Sequence, residues 1–489
     1  MASVDSRDAA ASATVLTDSI TCRIRGQRRR QEQVKPLEPF YRNLEEALDQ
    51  RRAAHNSRCL APSDWQESGK TDFASNDILS WNASGALRTE FLAQLEKHPD
   101  FSPGTSGSRL LDGNYAYIEA AEQEISAFHG AETGLILNSG FDANVAVWTA
   151  IPRPGDAIIY DSLVHASTNQ GIAQSLAIQK AKFPHNNLEA FRNTLCSILD
   201  SQPLIRQGKR SVLVAVEGVY SMDGDVCPLH ELVDIASDVS QGQGNVQFVI
   251  DEAHSTGLLG PRGAGLVCAL GLEAKIAIRV HTFGKCMGSS GAIVLGNPSI
   301  KTALLSFAPS TSFSTAPSFT FVAAIKAGYN LLQSANGNKA QQRVQYLARL
   351  FYTKLTLHSC WKQARASGLL EIPLAEEWDK RPFLTHISFI KTREKYLYWL
   401  YFHMVSAGFW VWPAEHPIVP KGESRIKISL HAGNTDEQVE GLIGALFSWV
   451  QEIMDIEAGK SQEIVTRAAK MVYTWMGAEG LDGFGLVES

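Results

Sequence analysis

Between about residues 100 and 335 the chain repeats one pattern. A short apolar run ends abruptly in polar or glycine residues, and a helical stretch follows. "GLILNSG", "DAIIYDSLVHAS", "SVLVAVEGVYSMDG", "VQFVIDEAHSTG" and "GAIVLGN" are the clearest cases. Their apolar residues do not alternate with polar ones, so both faces of each strand must be buried. Strands of this kind separated by helices require crossover connections, which predicts an α/β fold with a mainly parallel sheet. Ligands of such sheets bind at the carboxyl ends of the strands. The polar residues of this chain cluster at those ends.

The flanking sequence divides around this centre. Residues 1–36 read as a flexible N-terminal tail: "MASVDSRDAAASATVLTDS" lacks the apolar stretch of a secretory signal, and "CRIRGQRRRQ" reads as a solvated basic linker, with a nuclear or nucleic-acid arm or part of an organelle transit peptide as alternatives. Residues 37–99 form an N-terminal segment, with an amphipathic helix from Pro39 and a strand-like piece at "KTDFASNDILSW". Residues 100–335 make the large domain, 336–455 a smaller α+β C-terminal domain with "FLTHISFI" and "SRIKISLHAG" as strands, and 456–489 a C-terminal tail. A formal charge of −6 argues against a nucleic-acid surface over the body of the chain. No run approaches the ~18 uninterrupted apolar residues of a membrane helix. The seven cysteines are odd in number and scattered, which favours a reducing compartment, and the expected location is the cytoplasm.

"IDEAHSTGLLG" looks at first like the magnesium-binding strand end of a DEAH-type ATPase. That chemistry needs a phosphate loop of the form G-x-x-x-x-G-K-[ST]. Around Gly284-Lys285, Arg279 stands where its first glycine belongs and Cys286 replaces its hydroxyl, so the ATPase reading fails. Five polar strand ends remain in one α/β domain. "LNSGFDANVAV" is a strand–turn–helix whose first free amides suit a phosphate. "DSLVHAST" ends on His165, "VEGVYSMDGD" on Glu217, Ser221 and Asp223, and "DEAH" supplies Asp251 and His254. "HTFGKCMGSSG" sets Lys285 between glycines. Taken singly, each is as well read as a solvated turn or a satisfied structural group; the set is what points to a shared ligand.

In order and spacing, "GTSGSRLLDGN", "NSGFDAN", "EGVYSMDGD", "DEAHSTGLLGPRGAG", "TFGKCMGSSG" and "SLHAGNT" resemble the α-oxoamine synthases, fold-type I pyridoxal-phosphate (PLP) enzymes. The resemblance runs from about Pro39 to about Gln451, and "LDQRRAAHNSR" with "FASNDILS" looks most like the 8-amino-7-oxononanoate synthases. It implies a large PLP-binding domain, a small C-terminal domain and a homodimer with a shared active site. It implies Lys285 as the lysine that holds the cofactor covalently and acts as base, Asp251 as partner of the pyridine nitrogen, and His165 stacked on the ring. His254 and Ser221 correspond to partners of the phenolic oxygen, and Glu217 to another cofactor contact. The phosphate falls to Ser139, Gly140, Phe141 and Thr282, with Ser314 and Thr315 from the neighbouring subunit. Asn76 corresponds to a residue that helps hold the amino-acid carboxylate, and Arg58 to one near the entry of the acyl chain.

The implied reaction condenses an amino acid with an acyl thioester on CoA or an acyl carrier protein, releasing CO2 and thiol and leaving an α-amino ketone. The most specific expectation is L-alanine with a pimeloyl thioester, as in biotin biosynthesis. The alternatives are a secondary-metabolic enzyme using a polyketide or fatty acyl thioester, a fold-type I aminotransferase, and a non-catalytic partner subunit, which the presence of Lys285 disfavours. Two positions depart from the family pattern. Lys427 in "SRIKISLHAGN" replaces the arginine that grips the substrate carboxylate, and Ile78 replaces a tyrosine commonly found in the pocket wall. A lysine offers that carboxylate a point charge where arginine offers a planar fork. Together with the long tails, this predicts a specialised member.

Overall fold

The computed structural model describes residues 20, 24, 38–54, 57, 60 and 69–478. Its centre is a seven-stranded sheet: β1 (Thr133–Leu137), β2 (Ala157–Asp161), β3 (Gln179–Phe183), β4 (Val212–Glu217), β5 (Val246–Asp251), β6 (Ile278–Thr282) and β7 (Ala292–Gly296). The order is β1-β7-β6-β5-β4-β2-β3. Only β7 pairs antiparallel, with β1 and β6, so the other six strands run the same way. Their carboxyl ends therefore share one edge, and the quoted polar turns come together there.

The runs are apolar on both faces because both faces are covered. Along β4, Val214 and Val216 join one buried cluster, with Phe248, Phe191 and Leu232, while Leu213 and Ala215 join the other, with Val147 and Trp148. Helices make the layers: α2 (Gly140–Ala150) follows β1, α3 (Ala166–Gln174) joins β2 to β3, α4 (Leu188–Ser201) joins β3 to β4, and α5 (Leu229–Val239) joins β4 to β5. Upstream of all of these, α1 (Pro39–Ala53) forms where the helix is expected, and none of its residues is buried.

Beyond the large sheet, α6 (Phe319–Gln333) and α7 (Ala335–Leu357) lead to a three-stranded antiparallel sheet of order β9-β10-β8, formed by β8 (Ile387–Ile390), β9 (Trp412–Ala414) and β10 (Arg425–Ser429). Helices α8 (Leu397–Ser406) and α9 (Asp436–Glu457) pack with it. A capping box starts α9: Thr435 Oγ1 accepts from the Gln438 amide, and Gln438 Oε1 accepts from the Thr435 amide.

Both stretches expected as tails contribute residues to the small-sheet core. In the C-terminal stretch, α10 (Arg467–Ala478) packs Ala468, Ala469, Val472 and Met476 into the small-sheet core, and Trp399 Nε1 donates to Tyr473 Oη at 2.8 Å. Ile20 and Ile24 are buried in the same core. The expected strand in "KTDFASNDILSW" shrinks to Thr71–Asp72, paired in parallel with Phe409–Trp410. Among the described residues no helix is long and apolar enough to cross a membrane.

Candidate active site

Two features at the β1 and β6 ends define an anion cradle. Ser139 caps α2 by accepting from the Asp142 amide at 3.0 Å, leaving the first amides of the helix directed outward. Gly140 lies so close to β6 that a Cβ would come 2.4 Å from Thr282 Cγ2, so only glycine fits without displacing that side chain. Thr282 Oγ1 is buried and has no hydrogen-bond partner. An orphaned hydroxyl beside a helix N-terminus fits a phosphate, which would accept from both.

Glu217 and Asp251 face each other in register at the ends of β4 and β5. Asp251 Oδ2 accepts from Asn144 Nδ2 at 2.7 Å, and Oδ1 accepts from the Ala253 amide at 2.9 Å. Asn144 also donates to Ser167 Oγ at 3.1 Å, and Ser167 Oγ shares a 2.7 Å hydrogen bond with His165 Nδ1. The His165 amide donates to Glu217 Oε1. Asp251, Asn144, Ser167 and His165 thus form one connected set that fixes the carboxylate against the imidazole. The Phe141 ring stands edge-on to His165, centroids 6.3 Å apart.

Lys285 sits on a tight turn after β6, closed by the Gly288 amide donating to the Lys285 carbonyl at 2.8 Å. Burial pushes its amine below the usual lysine range, opposed by the charges of Asp251 and Glu217. Burial, and next the charge of Asp251, hold the Glu217 carboxyl well above the usual range. His165 is lowered by burial; His254 is held well below its ordinary value by burial and by the charges of Lys285 and Lys427. The His254 Nδ1 is buried without a partner, and its ring stacks on that of His386 at 5.5 Å. Lys427, in β10, is buried too, and burial with the nearby Lys285 charge brings it down to about 7. Two amines and three imidazoles therefore converge above Asp251. A pocket with a neutral-prone lysine, an anchored carboxylate and two orphaned groups, on Thr282 and His254, fits the aldehyde, ring nitrogen, phosphate and phenolic oxygen of PLP.

The structure gathers Ser139, Gly140, Phe141, His165, Glu217, Asp251, His254, Thr282, Lys285 and Lys427 at this edge. Ser221 is half-buried on the turn after β4, and that turn is pinned to the small sheet: Arg425 pairs with Asp223, and Thr385 Oγ1 donates to the Gly224 carbonyl at 2.6 Å. Ser314 and Thr315 line a small recess with Asn138 and Asp142 beside the start of α2. Asn76 is exposed, Ile78 is fully buried in the core beside the large sheet, and Arg58 lies outside the described residues. Two residues had no role assigned from sequence. Asn144 lies inside the quoted "NSGFDAN" as a polar residue on the buried side of α2, and His386 lies in "FLTHISFI", read only as a strand.

A family model for class I and II aminotransferases matches residues 68–446. An aminoacyl transferase, sphA, from Aspergillus fumigatus is 49% identical over 445 residues, 91% of this chain and 94% of its own. An 8-amino-7-oxononanoate synthase from Emericella nidulans is 41% identical over 79% of this chain and 90% of its own. The solved serine palmitoyltransferase of Sphingomonas wittichii superposes with a TM-score of 0.65 at 25% identity, covering 78% of this chain and 87% of that one. The chain is an α-oxoamine synthase of the class I and II aminotransferase family. As an α-oxoamine synthase it is an enzyme, a PLP-dependent acyltransferase, with the fold-type I architecture that the resemblance implies and the mainly parallel sheet expected from its strand pattern.

Proposed function

We propose that this α-oxoamine synthase condenses an amino acid with a fatty or polyketide acyl thioester, rather than with a pimeloyl one. Greater identity over a greater share of the chain to the aminoacyl transferase sphA than to the Emericella nidulans oxononanoate synthase supports this reading. The single observation that carries the chemistry is Lys285, half-buried and with its amine pushed toward the neutral form, within reach of the charge of an Asp251 carboxylate anchored by Asn144. A second reading, 8-amino-7-oxononanoate synthase acting on L-alanine and a pimeloyl thioester, draws on the 41% identical relative.

When bound, PLP supplies an electron sink for the charge that develops on the amino acid's Cα. In this proposal Asp251 keeps a proton on the pyridine nitrogen, with Asn144 fixing the orientation of the carboxylate. Thr282 and the amides of Ser139, Gly140 and Phe141 hold the phosphate. His254 and Ser221 bind the phenolic oxygen, Glu217 supports His165, and His165 covers the ring face. Lys285 would hold the cofactor covalently, and its neutral Nζ would serve as the base that takes the proton from Cα of the bound amino acid. Lys427 takes the amino-acid carboxylate. Cα then bonds to the thioester carbonyl carbon while the carbon–sulfur bond breaks, and the thiolate leaves and is protonated. The carboxylate departs as CO2, and Lys285 returns a proton to Cα.

The proposed assembly is a homodimer, with Ser314 and Thr315 of each subunit serving the phosphate site of the other. Phe313 and Leu111, 89% and 77% exposed in the single chain, support a covered surface there. Asn76 is proposed for the amino-acid carboxylate and Arg58 for the entry of the acyl chain. The test is a panel of amino acids with acyl thioesters on CoA and on carrier protein, read by thiol release and by the mass of the amino ketone. Turnover with long acyl chains is expected. Turnover confined to L-alanine and pimeloyl thioester would assign the second reading, and amino-group transfer to a keto acid without thiol release would overturn both.

A further inference from the structure

Lys427 is a buried charge with an unmet task. Its Nζ takes part in none of the ion pairs or hydrogen bonds found among the described residues, and the groups its charge acts on or feels along the pocket are Lys285, His254 and His386. A guanidinium would meet both oxygens of a carboxylate with two parallel N–H donors, whereas an ammonium is a compact point charge. A lysine at this position meets one oxygen with a point charge, and Asn76, the other residue proposed for the carboxylate, is exposed, so the buried side of the second oxygen needs a further donor.

A donor of the right kind shares the pocket: the charge of Lys427 acts on His386, and both act on His254. His386 immediately precedes β8, and its carbonyl accepts from the Leu430 amide at 2.8 Å, which ties it to the end of β10. Three residues further on, Phe389 is the register partner of Lys427. The imidazole is 1% exposed, its Nδ1 is buried without a partner, and its ring is stacked at 23° on that of His254. After burial, Lys427 is the influence that most strongly lowers its basicity, ahead of His431 and Lys285, so the ring is neutral and carries a single N–H.

We propose that His386 and Lys427 together form the amino-acid carboxylate site, the Nδ1–H of His386 donating to one oxygen and the Nζ of Lys427 to the other. The pair does the work of one arginine fork, divided between β10 and the residue just before β8. His386 is then a specificity determinant whose contribution depends on lysine at 427. This assignment rests on reading Lys427 as the residue that receives the substrate carboxylate.

The test uses PLP-loaded wild type, His386→Ala, Lys427→Arg and the double variant, titrated with L-alanine and L-serine and followed by the change in visible absorbance. L-alaninamide, which lacks the carboxylate, is the control. A hydrogen bond to a charged group predicts that His386→Ala weakens amino-acid binding by roughly tenfold or more with lysine at 427. With arginine at 427 the same substitution should cost less than about threefold, because the fork meets both oxygens. Alaninamide binding should not change, and His386→Asn, which keeps a donor at similar reach, should recover most of the loss. His386→Leu carries the same comparison should the alanine variant fail to hold its cofactor. An equal loss in both backgrounds, no loss in either, or an equal loss for alaninamide overturns the pairing. Lys427→Ala tests the underlying reading by itself: if it leaves the preference for L-alanine over L-alaninamide intact, Lys427 does not receive the carboxylate, whatever His386 does.

Discussion

Replacing Lys427 with arginine should change the pH dependence of amino-acid binding more than its strength at neutral pH. Burial, reinforced by the charge of Lys285, lowers Lys427 to about 7, while an unperturbed lysine titrates near 10.5. The ammonium is the form that attracts a carboxylate. Below about 7 it is already present in the free enzyme; as pH rises through that value it is lost, and binding must then take up a proton. Each pH unit beyond the midpoint costs about 1.4 kcal/mol, a factor of ten in affinity. The cost ends where the lysine of the complex itself deprotonates. Once Lys285 holds the cofactor its charge disappears, which moves the midpoint upward within the window from about 7 to 10.5 without removing the larger effect of burial. An arginine stays protonated throughout this range. The ratio of the wild-type dissociation constant to that of Lys427→Arg should therefore rise between pH 7 and 9, by up to about 100-fold. The substrate's own ammonium titrates identically with both proteins and cancels in the ratio. Titration with L-alanine at fixed ionic strength, read by visible absorbance, measures it. A ratio that stays constant from pH 6 to 9 refutes the reasoning.

Three further outcomes follow from particular contacts. Asn144→Ala removes the 2.7 Å hydrogen bond to Asp251, worth about 1.5–3 kcal/mol for a charged acceptor, so kcat/KM should fall roughly 10- to 100-fold with the cofactor still bound; unaltered kinetics would remove Asn144 from the site. Arg109→Met removes one of the two cations paired with the buried Glu122 carboxylate; Lys301 and the Ile136 amide still hold it, so the loss should stay below the about 3–5 kcal/mol of an uncompensated buried charge, readable as a lower urea midpoint. Truncation after Thr466 strips α10 from the small-sheet core. Losing the burial of Val472 and Met476, at about 1.5–3 kcal/mol each, should lower the melting temperature clearly, whereas an unchanged melting temperature would mean that α10 does not hold that core.

What could be read from the sequence follows from where burial imposes a pattern. Strands covered on both faces leave uninterrupted apolar runs, so the places where β1, β2, β4, β5 and β6 stop are marked by their first polar residues, and those are the residues of the cradle. His386 escaped because a histidine beside an edge of the small sheet has no such contrast: Thr385 and Ser388 next to it are polar and buried as well. Asn144 escaped because a single polar residue on a buried helix face reads as tolerated, until Asp251 is found 2.7 Å away. For α10 the sequence carries the signal: Ala468, Val472 and Met476 recur at the four-residue spacing of a helix with one buried face. Ile20 and Ile24 show the same spacing, within a tail whose composition is otherwise polar.

The account depends on the cofactor being held through Lys285, and borohydride reduction of the PLP-loaded enzyme followed by peptide mapping asks this directly. The phosphopyridoxyl label should be recovered on the peptide containing Phe283-Gly284-Lys285-Cys286, with loss of the visible absorbance. Label on another lysine, or no label on a protein that remains colourless with excess cofactor, would contradict it.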